Sequence, residues 1–211
     1  MPDGFTAHDE IRPPRWVLDG ARRLSTAEFG EEFIRLWDAI EHGLIKSECW
    51  QTYLEPETRS WREYQLGNYA AVQDLLEEEA DLDQHVYDAV TKNGTPFVRV
   101  RLVSLPLSRY VTFEMWNYLV RARRGETVEV ALAPPDDPRP LPNHTFFDFL
   151  LFDDRAALVH DYGLDGLQVG GWLVTSPPAL ARLAGTAERT RRRAVPFDTF
   201  VRRHGLTFPP R

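Results

Sequence analysis

The sequence predicts an α/β protein with some α+β character, in which a mixed, mostly parallel sheet carries flanking helices and a C-terminal hairpin. Residues 97–103 and 127–132 are β-branched, as in strands, and the segment 109–124 between them has an apolar stripe at helical spacing. A strand–helix–strand connection of this length favours parallel pairing with a right-handed crossover. The apolar run 146–152 then turns back into the run 156–160, which adds the hairpin.

The central helix has recognisable start and stop signals. Ser108 precedes the apolar stripe as an N-cap residue, and Gly125 follows it as a C-terminal stop. Arginines in the last turn complement the negative end of the helix dipole.

Before residue 95 the sequence predicts mainly helices. Ser25 and Glu28 have the spacing of a capping box, and apolar residues follow at helical spacing. Further helices are predicted at 69–79 and 82–92, and a short strand at 48–54.

After the hairpin, one more strand and a helix are predicted. The strand 169–174 contains Gly170-Gly171, which indicates a bulge or a close backbone approach, and the helix covers 177–192. The elements divide the chain into four parts: a partly ordered N-terminal arm (1–23), a mostly helical lobe packed on the sheet (24–94), an α/β core (95–204) and a tail (205–211).

Composition excludes several classes of function. The net charge of −7 argues against direct binding to nucleic acid, which depends on dense Lys and Arg. The single cysteine, Cys49, excludes a disulfide framework and a Cys-rich zinc site, and beside Trp50 it is more typical of a packing residue than of a nucleophile. No run approaches 18 apolar residues and no signal segment is recognisable, so a cytoplasmic protein without membrane contact is predicted.

The catalytic motifs with known mechanics are missing from the sequence. It has no glycine-rich phosphate loop, no His-Glu-x-x-His and no Gly-x-Ser-x-Gly. We therefore expect neither a cofactor nor a metal ion.

The charged residues on the predicted strands are the first candidates for a site. Arg99 and Arg101 lie on the same face of their strand, and Glu129 lies on the neighbouring one. Charges in a covered sheet must be paired or must line a pocket, so we expect an Arg101–Glu129 ion pair.

Ligands of open α/β sheets bind beyond the carboxyl ends of the strands. This rule gives a set of ligand-binding candidates, which are Arg99, Arg101, Ser104, Tyr110, Glu114 and Asp153. The simpler interpretation of these residues is that they form structural ion pairs and helix caps.

A second set of residues would suit general acid–base catalysis. Its members are Asp148, His160, Glu114 and Tyr110. Asp148 lies within an aromatic strand, where it either faces solvent or accepts a hydrogen bond inside, with a raised pKa if it is unpaired. His160 could equally be an exposed residue without a role.

Several short runs together resemble an uncharacterised actinobacterial family, catalogued as a domain of unknown function. The runs are 51–53, 56–57, 99–104, 106–110, 113–114, 148–153 and 194–197. The resemblance covers about residues 26–201. Members of that family are often encoded beside helix-turn-helix regulators and small partner proteins, in developmental or natural-product loci, and the family has no established activity.

The order of the predicted elements also looks like one half of the phospholipase-D-like fold, which some ligand-sensing regulators share. Catalysis in that superfamily requires His-x-Lys, and this sequence has no such motif. The resemblance therefore implies a catalytically silent version of the fold.

Two classes of function follow. The first is a non-catalytic regulatory or binding module that recognises a small molecule or a partner protein, for which a helix-turn-helix regulator is one candidate; the six tryptophans could also leave a patch for a homodimer. The second is a tailoring enzyme of secondary metabolism. Convergence of Asp148, His160 and Glu114 in one closed pocket would favour the enzyme.

Overall fold

A computed structural model of the protein describes residues 12–136 and 139–207, so that 1–11 of the predicted arm and 208–211 of the predicted tail lie outside the described residues. In the described part, eight strands form one mixed sheet in the order β1-β7-β6-β5-β2-β3-β4-β8. The strands are β1 Arg22–Leu24, β2 Leu44–Glu48, β3 Phe97–Val103, β4 Thr127–Leu132, β5 Phe149–Phe152, β6 Ala156–Asp161, β7 Gly170–Val174 and β8 Val195–Pro196.

Eight helices surround the sheet in these residues. They are α1 Arg15–Leu18, α2 Thr26–Asp38, α3 Arg59–Leu66, α4 Tyr69–Leu82, α5 Gln84–Asn93, α6 Arg109–Arg123, α7 Pro177–Arg191 and α8 Phe197–His204. Within the described residues, no helix has both the length and the apolar character needed to cross a bilayer.

The predicted strand–helix–strand unit is confirmed. β3 and β4 pair in parallel, and α6 connects them. The Oγ atom of Ser108 accepts a hydrogen bond from the backbone N–H of Val111 at 3.0 Å, as an N-cap does. The predicted fold class, a mixed sheet with flanking helices and a hairpin, is thus confirmed, but the prediction that the sheet is mostly parallel is wrong. Parallel pairing is confined to β2–β3–β4, and the other five strand pairings are antiparallel.

The N-terminal half contributes more to the sheet than its sequence predicts. The capping box of Ser25 and Glu28 is confirmed. The predicted strand 48–54 is wrong: the strand is β2, Leu44–Glu48, and it lies in the middle of the sheet between β5 and β3. β1 and β2 thus belong to the sheet, although they begin in the segments predicted as an arm and as a helical lobe.

The register places four charged residues of the central strands on one face of the sheet. Lys46 is opposite Arg99, and Glu48 is opposite Arg101. We call this side the charged face. Because side chains alternate along a strand, the residues between these positions point to the opposite face.

The two faces are covered by different helices. On the charged face, α2 packs over the β5–β6 side through Phe29 and Trp37, and α6 packs over β3 and β4 through Met115 and Tyr118. On the opposite face, α7 packs through residues such as Leu183 in a continuous apolar core.

The glycine pair in β7 allows neighbouring elements to approach closely. Of the two alternatives predicted for it, a bulge or a close backbone approach, the second is therefore confirmed. A Cβ atom on Gly171 would lie 2.4 Å from the carbonyl oxygen of Val159 and 2.5 Å from the ring of Phe29. Gly171 is therefore required so that α2 can lie directly on the β6–β7 pair.

Candidate functional site

A cleft of about 770 Å³ opens over the charged face. Its floor is formed by side chains of β2 and β3, one wall by α4 and α6, and the rest by the loops 53–58 and 162–168. The charged lining residues are Lys46, Glu48, Glu55, Glu57, Arg59, Glu78, Glu79, Arg99, Glu114 and Arg121, with His160 at one side.

Arg99 organises the floor of the cleft. Its Nη1 atom donates to both carboxylate oxygens of Glu48 at 2.7 Å, while Nε and Nη2 donate to the two oxygens of Glu126 at 2.9 Å. Lys46 adds a second ion pair to Glu48 at 2.9 Å. Although burial opposes ionisation, Arg99 and Lys46 hold the pKa of Glu48 well below its usual range.

Arg101 makes an ion pair, but with a different residue from the one predicted. Its Nη2 atom donates to Glu114 on α6 and to the carbonyl oxygen of Trp50. The predicted Arg101–Glu129 pair is wrong, because the register places Glu129 opposite Val100 and so on the opposite face. Glu129 binds Arg191 of α7 there, at 2.8 and 2.9 Å.

Tyr118 links the two ion-paired carboxyl groups. Its hydroxyl oxygen lies 3.1 Å from Oε2 of Glu48 and 3.0 Å from Oε1 of Glu114. Burial raises the pKa of Glu114 to about 7, against the opposing effect of Arg101, and the negative charge of Glu48 adds to the rise. A phenol has one proton to donate. We infer that Tyr118 donates to the ionised Glu48 and that Glu114, when protonated, donates to Tyr118.

The hydrogen bonds that connect Glu114 through Tyr118 to Glu48 predict a pH dependence of stability. The pKa of Glu114 is about 7 in the folded state against 4.5 ordinarily, so the folded protein retains a proton that the unfolded chain has lost between these values. Stability must therefore fall as pH rises from about 4.5 to about 7, in proportion to this difference in bound protons. We expect the free energy of unfolding of the wild type, minus that of Glu114→Gln, to decrease over this range in urea titrations.

The matched control is Glu31→Gln, at an exposed position of α2. Its free energy of unfolding should follow that of the wild type across the same pH range. A difference between the wild type and Glu114→Gln that stays constant with pH would contradict the shared proton.

Asp148 accepts hydrogen bonds inside the protein, which is the second of its two predicted alternatives. The phenol of Tyr53 and the backbone N–H of Cys49, the latter at 2.7 Å, donate to it, and the N–H of Trp50 lies 3.4 Å away. Burial and the charge of Glu48 raise the pKa of Asp148. Burial and Asp148 also raise the pKa of the Cys49 thiol well above its usual range, which agrees with a packing role.

His160 is enclosed by aromatic rings. It stacks on Tyr162 with ring centroids 5.2 Å apart and contacts the ring of Phe29 at 4.7 Å. Burial lowers the pKa of His160 to about 3, so its ring is neutral at physiological pH. His160 and Glu114 both line the cleft, whereas Asp148 is not among its lining residues. In the described residues, no hydrogen bond joins the side chain of His160 to Asp148 or Glu114.

The remaining candidates lie in three different places. Tyr110 is on the wall of the cleft, where its hydroxyl donates to Glu55 at 2.8 Å, and burial raises the pKa of Glu55. Ser104 lies outside the cleft lining, and its backbone N–H donates to the side chain of Gln51 at 2.9 Å. Asp153 is at the other end of the sheet, because β5 is antiparallel to β2 and its carboxyl end meets the amino end of β2.

Asp153 holds the loop that leads into β2. Its carboxylate accepts hydrogen bonds from the backbone N–H groups of Glu41, His42 and Gly43 at 2.7–2.8 Å, and Arg155 is its ion-pair partner. Although partial burial opposes ionisation, these donors lower the pKa of Asp153 to about 2.

We expect Asp153→Ala to reduce the free energy of unfolding by about 1–3 kcal/mol, because three backbone donors lose their acceptor. The lowered pKa means that this stabilisation is present above about pH 4 and is lost as pH falls towards 2. Asp154→Ala is the matched control for chemical denaturation, since Asp153 and Asp154 both have positive φ angles, 50° and 58°. Equal losses in the two variants would assign the effect to backbone strain instead.

A family model for a domain of unknown function, DUF6879, matches residues 31–202. The chain belongs to the DUF6879 family. The matched range contains the whole cleft floor, and it confirms the prediction of an uncharacterised family. No curated protein matches the chain.

Of the acidic residues of this site, the sequence predicts only Glu114 and misses the others, among them Glu48, Glu55 and Glu126. The signal for Glu48 was present: Lys46 and Glu48 alternate with Ile45 and Ser47, as on a strand with one polar face. In the described residues, no group of three His, Cys, Asp or Glu side chains is placed to hold a metal ion.

Proposed function

We propose that the protein is a non-catalytic binding module whose cleft takes a small polar molecule with a basic nitrogen. The observation that carries the proposal is the cleft itself: about 770 Å³, within the size range of small-molecule sites, over a floor of ion-paired side chains. Because Arg99 and Glu48 are held by fixed partners, a ligand would meet a preformed surface.

The charge of the cleft favours a cation. Six glutamates line it against four cationic side chains, Lys46, Arg59, Arg99 and Arg121. Each of these cations already has a carboxylate partner. Glu55, by contrast, is held by the hydroxyl of Tyr110, and its pKa is raised by burial. An ammonium group beside Glu55 would favour the ionised form of this carboxyl.

A binding role is also supported by how the predicted catalytic residues are held. Asp148 accepts hydrogen bonds from Tyr53 and from the backbone N–H of Cys49, and Glu114 is paired with Arg101. The neutral ring of His160 is packed between aromatic side chains. General acid–base chemistry requires such groups to reach one reacting atom together.

One observation favours the alternative, a tailoring enzyme of natural-product biosynthesis. Glu114 lines the cleft and has a pKa of about 7, which suits a general acid or base at neutral pH. Turnover of an amine bound in the cleft, lost in Glu114→Gln while binding persists, would support the enzyme over the binding module.

Isothermal titration calorimetry with tyramine, putrescine and agmatine tests the proposal. 4-Hydroxyphenylacetate serves as an anion of similar shape to tyramine. We expect at least one amine to bind and Glu55→Gln to weaken it about tenfold, the loss of roughly one charge-assisted contact. Glu31→Gln, at an exposed position outside the cleft lining, should leave affinity unchanged.

Three results would contradict the proposal. They are no saturable binding of any of the amines, equal affinity for the anion, and no effect of Glu55→Gln.

The regulatory role of the protein, its partners and its cellular location are also part of the proposal. A regulatory function, with a helix-turn-helix regulator as partner, rests on the resemblance to a family often encoded beside such regulators. A second copy as partner rests only on the six tryptophans. The cytoplasmic location stays a prediction from the sequence. The likeness to the phospholipase-D-like fold stays a prediction.

A further inference from the structure

A second candidate site lies on the opposite face of the sheet from the cleft. Two adjoining grooves of about 430 and 440 Å³ run along α7 and share Thr145 and Arg189. We call them together the arginine groove, after the exposed arginines that line it. Besides Arg139 on the loop before β5, these are four residues on or just after α7: Arg182, Arg189, Arg192 and Arg193.

These arginines are poorly neutralised. In the described part of the chain, Arg182, Arg189 and Arg193 have no carboxylate within ion-pair distance. Arg182 lies over the ring of Trp16 at 3.9 Å, and Arg189 donates to the hydroxyl of Thr186 at 2.9 Å. Arg192 has an exposed partner, Glu188, at 3.4 Å. Of the described lining residues, Asp136 is the one carboxylate.

Helix-dipole compensation does not account for the whole cluster. Arg189 and Arg193 are at the C-terminal end of α7, where a positive charge is favourable. Arg182 is two turns earlier, beyond the range of that effect. The protein as a whole has a net charge of −7, so this cluster of unpaired guanidinium groups is a local feature. Its positive charge would attract an anionic partner.

The floor of the arginine groove is apolar. Leu132, Pro134 and Phe146 line it beside the arginines, and Leu132 is 39% exposed. Apolar surface beneath a cationic rim fits a molecule that has both an apolar body and an anionic group.

We propose that the arginine groove binds an organic anion, with its apolar body against Leu132 and Phe146 and its phosphate or carboxylate group between Arg189 and Arg193. The planar guanidinium group donates paired hydrogen bonds to either kind of anion, which makes arginine suited to this recognition. The site is independent of the cleft, which lies on the other face.

The test is calorimetric titration of the full chain with 1-naphthyl phosphate, 1-naphthoate and inorganic phosphate. We expect a naphthyl anion to bind more tightly than inorganic phosphate, and the better of the two naphthyl compounds identifies the preferred head group. The variant R189Q/R193Q should bind it at least tenfold more weakly, since two charge-assisted contacts are removed.

The control is R62Q/R203Q, which removes the same charge from two exposed arginines outside the groove. It should retain affinity within about twofold, and both variants should melt at the wild-type temperature because the replaced side chains are exposed. Leu132→Gln should weaken the naphthyl compound but not inorganic phosphate.

Equal loss in the two double variants would overturn the proposal, because the effect would then be one of net charge. It would also be overturned if no anion showed saturable binding below roughly 10 mM, a limit that corresponds to negligible affinity.

Discussion

Replacement of Arg99 by alanine is expected to lower the free energy of unfolding by about 3–5 kcal/mol, because two buried carboxylates lose their hydrogen-bonded guanidinium group. Among the described residues, Glu48 then keeps only Lys46 as an ion-pair partner, and Glu126 keeps only Arg121, at 3.7 Å. The side chains of Arg99, Glu48 and Glu126 are all less than a tenth exposed, and all three nitrogen atoms of the guanidinium group donate to the two carboxylates. Urea denaturation followed by circular dichroism measures the loss directly.

The control for this prediction is Arg191→Ala. Arg191 also makes a two-point contact with a carboxylate, Glu129, but its side chain is 32% exposed. Water can solvate the carboxylate left behind, so a loss of no more than about 1 kcal/mol is expected. Similar losses in the two variants would show that the burial of the Arg99 pairs has no energetic consequence.

The second large effect is expected for Asp148→Ala, a loss of about 2–6 kcal/mol. The variant leaves the phenol of Tyr53 and the backbone N–H of Cys49 buried without an acceptor, and each such donor costs about 1–3 kcal/mol. The same urea titration applies. A melting temperature equal to that of the wild type would mean that the carboxylate is not the acceptor the geometry indicates.

Tyr53→Phe separates the two contributions. It removes one donor and leaves Asp148 with the N–H of Cys49, so its cost should be clearly smaller than that of Asp148→Ala. If the two variants were equally destabilised, the hydrogen bond from the phenol would account for the whole effect.

The part of the fold that the sequence predicts well is the part in which neighbours along the chain also pair in space. β3, α6 and β4 follow one another, and their apolar periods and the N-cap Ser108 are local signals. The capping box at Ser25 is predicted for the same reason.

The site could not be predicted in the same way because it depends on pairings over long distances in sequence. The sequence predicts Glu129 as the partner of Arg101 because β4 follows β3, yet a one-residue difference in register decides which face a side chain occupies. One of the two partners of Arg99, Glu48, is on β2, a strand that the sequence predicts too far along the chain.

Asp153 shows the same limit at the level of strand direction. Its position after an apolar strand predicts a place at the ligand-binding edge, and that would hold if β5 ran parallel to β2. Direction is decided by the partner strand and not by the local sequence, so the antiparallel pairing moves Asp153 to the far edge.

The enclosed ion pairs beneath the cleft have a consequence for experiments in which ionic strength is varied. Dissolved ions screen charges that water reaches, such as Glu57, but act far less on Glu48 and Arg99, which lie beneath the surface. Added sodium chloride should therefore weaken the binding of a charged ligand at the rim of the cleft, while the buried ion pairs of the floor keep their geometry.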